Sequence, residues 1–259
     1  MAASDNVLSV LGLKKNFGGL HAVRGVDLNV ERGAIVGLIG PNGAGKTTMF
    51  NMIAGELPPT AGSIELLGED VTGQRTDLLY HKGLMRTFQL SNEYARMTSL
   101  ENLAVAAPRQ VGESIWSSWF AGAKVRKREA EVVELARETL DFLGLTHVVD
   151  ELAGNLSGGQ KKLLEIGRTM MNDSKVVLLD EPGAGVNPTL MRKVADMIEQ
   201  LNQERGYTFC IIEHDMDMIA RLCGKVVVLA EGQVLMQGTM DEVRNDERVI
   251  EAYFGGEVV

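Results

Sequence analysis

The chain has 259 residues, a length that suits one large domain or one domain with an inserted lobe. Its 45% hydrophobic and 24% charged residues are typical of a globular protein, and its formal net charge of −9 argues against a nucleic-acid partner. No apolar run reaches the length of a membrane span, about 18 residues, and the N-terminus lacks the features of a signal peptide. Because Cys210 and Cys223 lie in apolar segments, we expect reduced core thiols and a cytoplasmic location.

The first predicted elements are strands of a small N-terminal sheet, over residues 7–13, 25–30 and 62–67. Phe17 lies between the first two strands. An aromatic side chain ahead of a phosphate-binding loop can stack on adenine. Residue type alone, however, favours a core or turn residue, because aromatic side chains mostly serve burial.

Residues 40–47 have the spacing of such a phosphate-binding loop: two glycines separated by four residues, then lysine and threonine. A buried strand is predicted before the loop, over residues 34–39, and a helix after it, over residues 47–54. The N–H groups of the loop and the helix N-terminus then point at one spot, which suits phosphate. Lys46 can reach the β- and γ-phosphates, and the Thr47 hydroxyl can bind Mg²⁺. The loop consists of Gly40, Pro41, Asn42, Gly43, Ala44, Gly45, Lys46 and Thr47.

The residue pattern in the middle of the chain predicts an inserted helical lobe. A short apolar run ends at Gln89, and the pattern beyond it is helical, with an amphipathic helix over residues 129–143.

An aromatic stripe lies within this lobe. Trp116, Trp119 and Phe120 have helical spacing and are followed by a basic run over residues 124–128. Most such stripes are core, and the alternative is a surface near a membrane or a membrane protein.

A serine followed by two glycines opens the next predicted helix, which runs to about residue 171. Ser157 can cap this helix, and its hydroxyl, the free N–H groups and the positive end of the helix dipole suit a second anion. The pattern is weak alone, because many helices begin with serine and a flexible loop. Beside a phosphate loop it becomes a strong signal.

Two strands in the last third of the chain end in polar side chains. The strand over residues 175–181 ends at Asp180 and Glu181, and the strand over residues 207–212 is followed by His214. In folds that alternate strands and helices, the C-terminal ends of the strands face the ligand. We therefore expect Asp180 to hold Mg²⁺ through water, Glu181 to orient or deprotonate the attacking water, and His214 to hydrogen-bond a γ-phosphate.

Cap and turn signals complete the C-terminal part. Asn187 and Pro188 predict the N-cap and first turn of a helix. Residues 225–229 and 233–237 predict a hairpin, and residues 239–242 form a capping box for a C-terminal helix.

Assembled, these motifs resemble the ATP-binding subunit of ABC transporters over essentially the whole chain. The resemblance makes Phe17 the adenine-stacking aromatic, which replaces its interpretation as a core residue. The resemblance implies that the catalytic residues are Glu181, His214, Lys46 and Gln89, and that the nucleotide is bound by Phe17, Val23, Thr48 and the loop 40–47. The metal ion would be held by Thr47, by Gln89 and, through water, by Asp180. Asn187 is the D-loop residue, and the signature residues, which face the nucleotide of a second chain, are Leu156, Ser157, Gly158, Gly159 and Gln160.

A finer resemblance is to the importer ATPases for branched-chain amino acids. Urea and short-amide importers share the pattern closely, and lipopolysaccharide-export ATPases share much of it. The chain departs from the wider family at Asn187, where most members carry aspartate, and at Gly183. The stretches that carry the resemblance are 37–48, 86–89, 181–188 and 212–216.

The fold that the resemblance implies is α/β: a P-loop NTPase core with a mixed sheet, a small N-terminal antiparallel β-subdomain and an inserted α-helical subdomain. We expect residues 1–259 to form a single ABC ATPase domain. Residues 1–89 and 155–259 would form the nucleotide-binding core with the β-subdomain, and residues 90–154 the helical subdomain.

The implied mechanism uses ATP and Mg²⁺ in a homo- or heterodimer, in which Ser157 and Gly159 of a second chain close over the nucleotide. Hydrolysis would move the helical lobe and, through Gln89, transmembrane permease subunits at the cytoplasmic face of the cell membrane. No nucleic acid is expected, and a solute-binding protein would be reached only indirectly, through the permease.

Two other classes of protein fit the sequence less well. A soluble ABC ATPase without a transporter, such as a translation factor or a DNA-repair ATPase, usually has two cassettes, long coiled coils or zinc sites, and this sequence has one cassette and neither insertion. A non-hydrolysing regulatory cassette is disfavoured because Glu181 and His214 are both present.

Overall fold

The computed structural model forms two compact units, one made of residues 1–89 and 174–259 and the other of residues 90–173. Gln89, Trp116, Trp119 and Phe120 lie outside the described residues. The residues that the structure describes are 5–87, 93–108, 122–172 and 174–254, without the side chain of Phe254.

The first unit contains an antiparallel sheet near the N-terminus, with strand order β2-β1-β4-β5. The three predicted strands are confirmed, but β1 and β2 are longer than predicted. Their paired ends near Phe17 and Leu20 are largely exposed, so no apolar alternation marks them. The strands are β1 (Asn6–Phe17), β2 (Leu20–Glu31), β4 (Ala61–Leu66) and β5 (Glu69–Asp70).

The first unit also contains a six-stranded sheet, which confirms the mixed sheet that the resemblance implies. Its order is β10-β9-β3-β8-β7-β6, and all neighbours are parallel except β10, which forms a hairpin with β9. Every residue of β3, β7 and β8 is buried, which explains their unbroken apolar runs. The strands are β3 (Ile35–Ile39), β6 (Leu84–Arg86), β7 (Val176–Asp180), β8 (Thr208–Ile212), β9 (Lys225–Ala230) and β10 (Gln233–Gly238).

Helix α1 joins the two sheets in one hydrophobic core. Its Met49, Phe50 and Ile53 are fully buried and belong to the same cluster as apolar residues of both sheets. Each such side chain contributes roughly 1.5–3 kcal/mol of burial. The helices of the unit are α1 (Lys46–Ile53), α2 (Thr76–His81), α6 (Pro188–Arg205), α7 (Met216–Leu222), α8 (Met240–Arg244) and α9 (Glu247–Phe254).

The second unit contains α3 (Ser99–Ala104), α4 (Gly122–Phe142) and α5 (Gly158–Met170). Helix α4 begins before the predicted residue 129. Its first turns were not predicted because they are basic and exposed and carry no apolar period. None of the helices in the described part of the chain combines the length and apolar character that spanning a bilayer requires.

The predicted boundary at residue 155 differs from the division of the structure, which groups residues 155–173 with the helical unit. The reason is the packing of α5. A Cβ added at Gly167 would lie 2.5 Å from Leu143 and 3.2 Å from Leu103, so this glycine lets α5 approach the other helices of its unit closely.

The two cysteines are free and buried, as predicted. Burial raises the pKa of the Cys223 thiol to about 12 and raises the pKa of Cys210 as well. Both are therefore neutral core side chains rather than reactive thiolates.

Candidate active site

The glycine-rich loop lies between β3 and α1, as predicted. Gly45 caps α1 with a φ of 97°, and Gly40 has a φ of 149°. A Cβ at Gly40 would lie 2.1 Å from the carbonyl oxygen of Leu229, and one at Gly45 would lie 2.6 Å from that of Ala22. Only glycine fits both positions, because backbone from two neighbouring elements packs directly against the loop.

The β9–β10 hairpin supports this loop from the side. Its turn has positive φ at Glu231 and Gly232, which suits the tight turn predicted there. The Gly232 N–H donates to the carbonyl of Ala44 at 3.1 Å, and the Gly232 carbonyl accepts from the Arg24 N–H at 2.7 Å. A hairpin far along the sequence thus fixes the loop to β2.

Lys46 lies in the loop as a buried cation. Its Nζ donates to the carbonyl of Gly40 at 2.7 Å and to that of Pro41 at 3.1 Å. Burial lowers the pKa of the ammonium, while the carboxylates of Glu181 and Asp180 act in the opposite direction. The two predicted carboxylates therefore lie close enough to the loop lysine to influence its ionisation.

The loop residues that face solvent are those a phosphate would meet. Asn42, Gly43 and Thr47 are exposed, and Asp180 is buried at the end of β7. Among the described residues, no group of three or more His, Cys, Asp or Glu side chains could hold a metal.

Arg86 contacts Asp180, and sequence reasoning missed it. Its Nη2 donates to Asp180 Oδ2 at 2.8 Å, and its Nη1 donates to Glu56 Oε2 at 3.0 Å and to Asn51 Oδ1. The Arg86 side chain is 7% exposed and that of Asp180 is 2% exposed, so this is a buried ion pair. The available signal was an arginine inside a run that otherwise reads as a buried strand.

Glu181 and His214 meet at the ends of β7 and β8. Glu181 Oε1 lies 3.1 Å from His214 Nε2, and the Glu181 N–H donates to the carbonyl of Ile212 at 2.9 Å. Glu181 has a φ of 50°, a left-handed conformation that costs a non-glycine residue about 1–3 kcal/mol and that is common at active sites.

Phe17 and Val23, two of the residues predicted to bind the nucleotide outside the phosphate loop, differ in exposure. Phe17 is 47% exposed at the end of β1, with the Lys15 ammonium 5.3 Å from the centroid of its ring. Val23 is only 1% exposed and lies beneath the loop, with its Cγ2 3.4 Å from the position a Cβ would take at Gly45. Phe17 is therefore available for stacking, whereas Val23 supports the loop.

In the second unit, Ser157 caps α5 as predicted. Its Oγ accepts from the Gln160 N–H at 3.3 Å, and Gln160 Oε1 accepts from the Ser157 N–H at 2.9 Å. This capping box leaves Ser157 and Gly158 exposed at the helix N-terminus, while Leu156 is buried. The signature residues thus present a helix N-terminus to solvent.

Asn187 caps α6, and its Oδ1 accepts from the Leu190 N–H at 2.9 Å. Pro188 occupies the first turn, where its missing N–H costs nothing. The predicted cap is confirmed, and the role of Asn187 at a dimer interface stays a prediction.

Replacing Asn187 tests both roles. Asn187→Ala should lower the free energy of unfolding by about 1 kcal/mol, whereas Asn187→Asp should change it by less than about 0.5 kcal/mol, because Asn and Asp cap comparably. Asn187→Ala should also lower turnover more than ATP affinity. Urea unfolding, ATP binding and turnover of both variants check this, and an Asn187→Ala chain that matches the parent in all three would exclude both roles.

A phosphate loop between a buried strand and a helix, with a lysine and two carboxylates beside it, defines a P-loop nucleotide-binding protein. The family model described as ABC transporter matches residues 23–184. The model described as branched-chain amino acid ATP-binding cassette transporter matches residues 233–259. The chain belongs to the ABC transporter family as an ATP-binding subunit; like its members, it binds nucleotide and hydrolyses ATP.

Similar proteins and structures support this assignment. The high-affinity branched-chain amino acid transport ATP-binding protein BraF of Pseudomonas aeruginosa is 40% identical over 97% of this chain and 99% of its own length. The probable branched-chain amino acid transport ATP-binding protein LivG of Archaeoglobus fulgidus is 39% identical, covering 97% and 96%. A crystal structure of a nucleotide-free ATP-binding cassette from an ABC transporter has a TM-score of 0.84 and 38% identity, covering 96% of this chain and 99% of its own.

Proposed function

We propose that this chain energises an ABC importer for branched-chain amino acids by hydrolysing ATP. The observation that carries the proposal is the contact of Glu181 with His214, beside Lys46 at one edge of the mixed sheet. The substrate class is supported by the match of residues 233–259 to the branched-chain model and by the names of the similar proteins. These matches favour branched-chain amino acids over the alternatives of urea import, lipopolysaccharide export or a soluble ATPase.

Binding of ATP uses the loop and Phe17. The exposed loop N–H groups and the N-terminus of α1 hold the phosphates, and the Phe17 ring stacks on adenine. Lys46, which donates to two loop carbonyls in this structure, redirects its ammonium to the β- and γ-phosphates. That exchange replaces neutral acceptors by charged ones, so it favours the nucleotide-bound state.

Hydrolysis uses the carboxylates. Thr47 and Asp180 are the residues that would hold Mg²⁺, with Gln89 as a further ligand, and the ion would neutralise phosphate charge. Glu181 accepts the proton of the attacking water or orients it. His214, whose Nε2 contacts Glu181 in this structure, donates to the γ-phosphate when ATP is bound.

Each site is completed by a second ATP-binding chain, identical or related. The N-terminus of α5 of that chain, with Ser157, Gly158 and Gly159, provides N–H groups and a helix dipole for the γ-phosphate. Asn187 lies at the dimer interface. The pair drives transmembrane permease subunits at the cytoplasmic face of the membrane, and a solute-binding protein acts only through them.

ATP binding and turnover by the purified chain test the proposal. We expect phosphate release that depends on both ATP and Mg²⁺, and a Lys46→Ala variant that stays folded but loses most of its ATP affinity. Copurification from membranes should bring down permease subunits. Turnover that persists without Mg²⁺, or an unchanged ATP affinity in Lys46→Ala, would contradict it.

A further inference from the structure

Glu213 carries a buried carboxylate between the predicted catalytic groups. It is 4% exposed and follows β8 directly. Its Oε1 accepts from the Gly183 N–H at 2.6 Å, and its Oε2 accepts from the His214 N–H at 2.8 Å and from the Asp215 N–H at 3.3 Å. Three backbone donors from two loops therefore converge on one side chain.

The two loops are those that carry the predicted catalytic residues. Gly183 lies in the loop that begins with Glu181, and His214 begins the loop after β8. The bond from Glu181 N–H to the carbonyl of Ile212 and the contact of Glu181 with His214 join the same loops. Since Glu181 has a φ of 50°, its backbone needs surrounding contacts that hold it there.

The lack of a side chain at Gly183 leaves room for this carboxylate. A Cβ at position 183 would lie 2.7 Å from Glu213 Oε1 and 2.3 Å from the sulfur of Met191. The Met191 side chain can move, but the carboxylate is held by its three donors. A glycine at this unusual position therefore allows the backbone N–H to reach Glu213.

We propose that Glu213 is a positioning residue that holds Glu181 and His214 in their positions relative to each other by joining the loops after β7 and β8. The inference rests on the proposed function, in which both act on the attacking water and the γ-phosphate. A carboxylate is needed because both oxygens accept hydrogen bonds. A glutamine amide has one accepting oxygen and would turn its NH₂ group towards backbone N–H donors.

The Glu213→Gln variant tests the proposal. We expect kcat to fall about 100-fold, because a small misplacement of catalytic groups has that effect, while the Kd for ATP changes less than about twofold. Gly183→Ala should lower kcat in the same way, and the double variant should lose little more than either single variant, because both break one linkage. The control is Asp215→Asn, which removes a carboxylate from the same loop but keeps an acceptor for the α7 N-cap.

Amide hydrogen exchange gives a second measurement that does not need hydrolysis. In Glu213→Gln, exchange at Gly183 should be at least about tenfold faster, whereas in Asp215→Asn it should be unchanged there. If the parent chain hydrolyses ATP and Glu213→Gln keeps its kcat, the positioning role is wrong. If the parent does not hydrolyse ATP, the proposed function is wrong, and unchanged exchange at Gly183 would overturn the linkage separately.

Discussion

The Glu181→Gln variant should hydrolyse ATP about 100-fold more slowly than the parent, or slower still, while binding ATP with similar affinity. The amide retains the size of the side chain but cannot accept the proton of the attacking water, and general-base catalysis of this kind contributes about 10²–10⁴-fold. With binding intact and hydrolysis slow, the variant should accumulate ATP-bound dimers. Phosphate release and sedimentation with ATP measure the two effects.

The chain offers a matched control for this substitution. Glu231 is also a glutamate with positive φ, at 48°, but its side chain is exposed in the β9–β10 turn. Glu231→Gln should therefore keep the turnover of the parent. Near-normal turnover in Glu181→Gln, or an equal loss in both variants, would contradict the assigned role of Glu181.

The Arg86→Met variant should lose about 3–5 kcal/mol of its free energy of unfolding. Arg86 pairs with Asp180 in an almost fully buried setting, and removing Arg86 leaves the buried carboxylate without its hydrogen-bonded partner. Methionine fills a similar volume, so little of the loss should come from a cavity. Urea unfolding monitored by circular dichroism measures the difference.

Arg221 provides the comparison for Arg86. It also contacts two carboxylates, Asp196 at 2.6 Å and Glu199 at 2.8 Å, but its side chain is 40% exposed. Because solvent screens such pairs, Arg221→Met should lose less than about 1 kcal/mol. Similar losses in the two variants would show that burial does not determine how much Arg86 contributes to the free energy of unfolding.

The elements with short-range signals could be predicted from the sequence. The strand, loop and helix around Lys46 follow from glycine spacing and an apolar run, and the caps at Ser157 and Asn187 follow from residue type. The hairpin around Gly232 follows from two short apolar runs separated by a turn signal. In each case the residues that determine the structure lie within a few positions of one another.

Long-range partners could not be predicted in this way. Arg86 and Asp180 come together because β6 and β7 are neighbours in the sheet, and nothing local in either segment specifies that pairing. Glu213 reads as a polar strand end, and its role depends on the backbone of Gly183 in another loop. Helices α2 and α3, six residues each, are too short to show a period of 3.6 residues.

Uptake of branched-chain amino acids into vesicles that contain this chain and its copurified permease subunits is the most direct test of its function. We predict leucine transport that requires ATP and Mg²⁺, is abolished by Glu181→Gln, is unchanged in Glu231→Gln and is not accompanied by urea transport. A complex that hydrolyses ATP but moves urea, or moves no branched-chain amino acid when its solute-binding protein is supplied, would contradict the proposed substrate class.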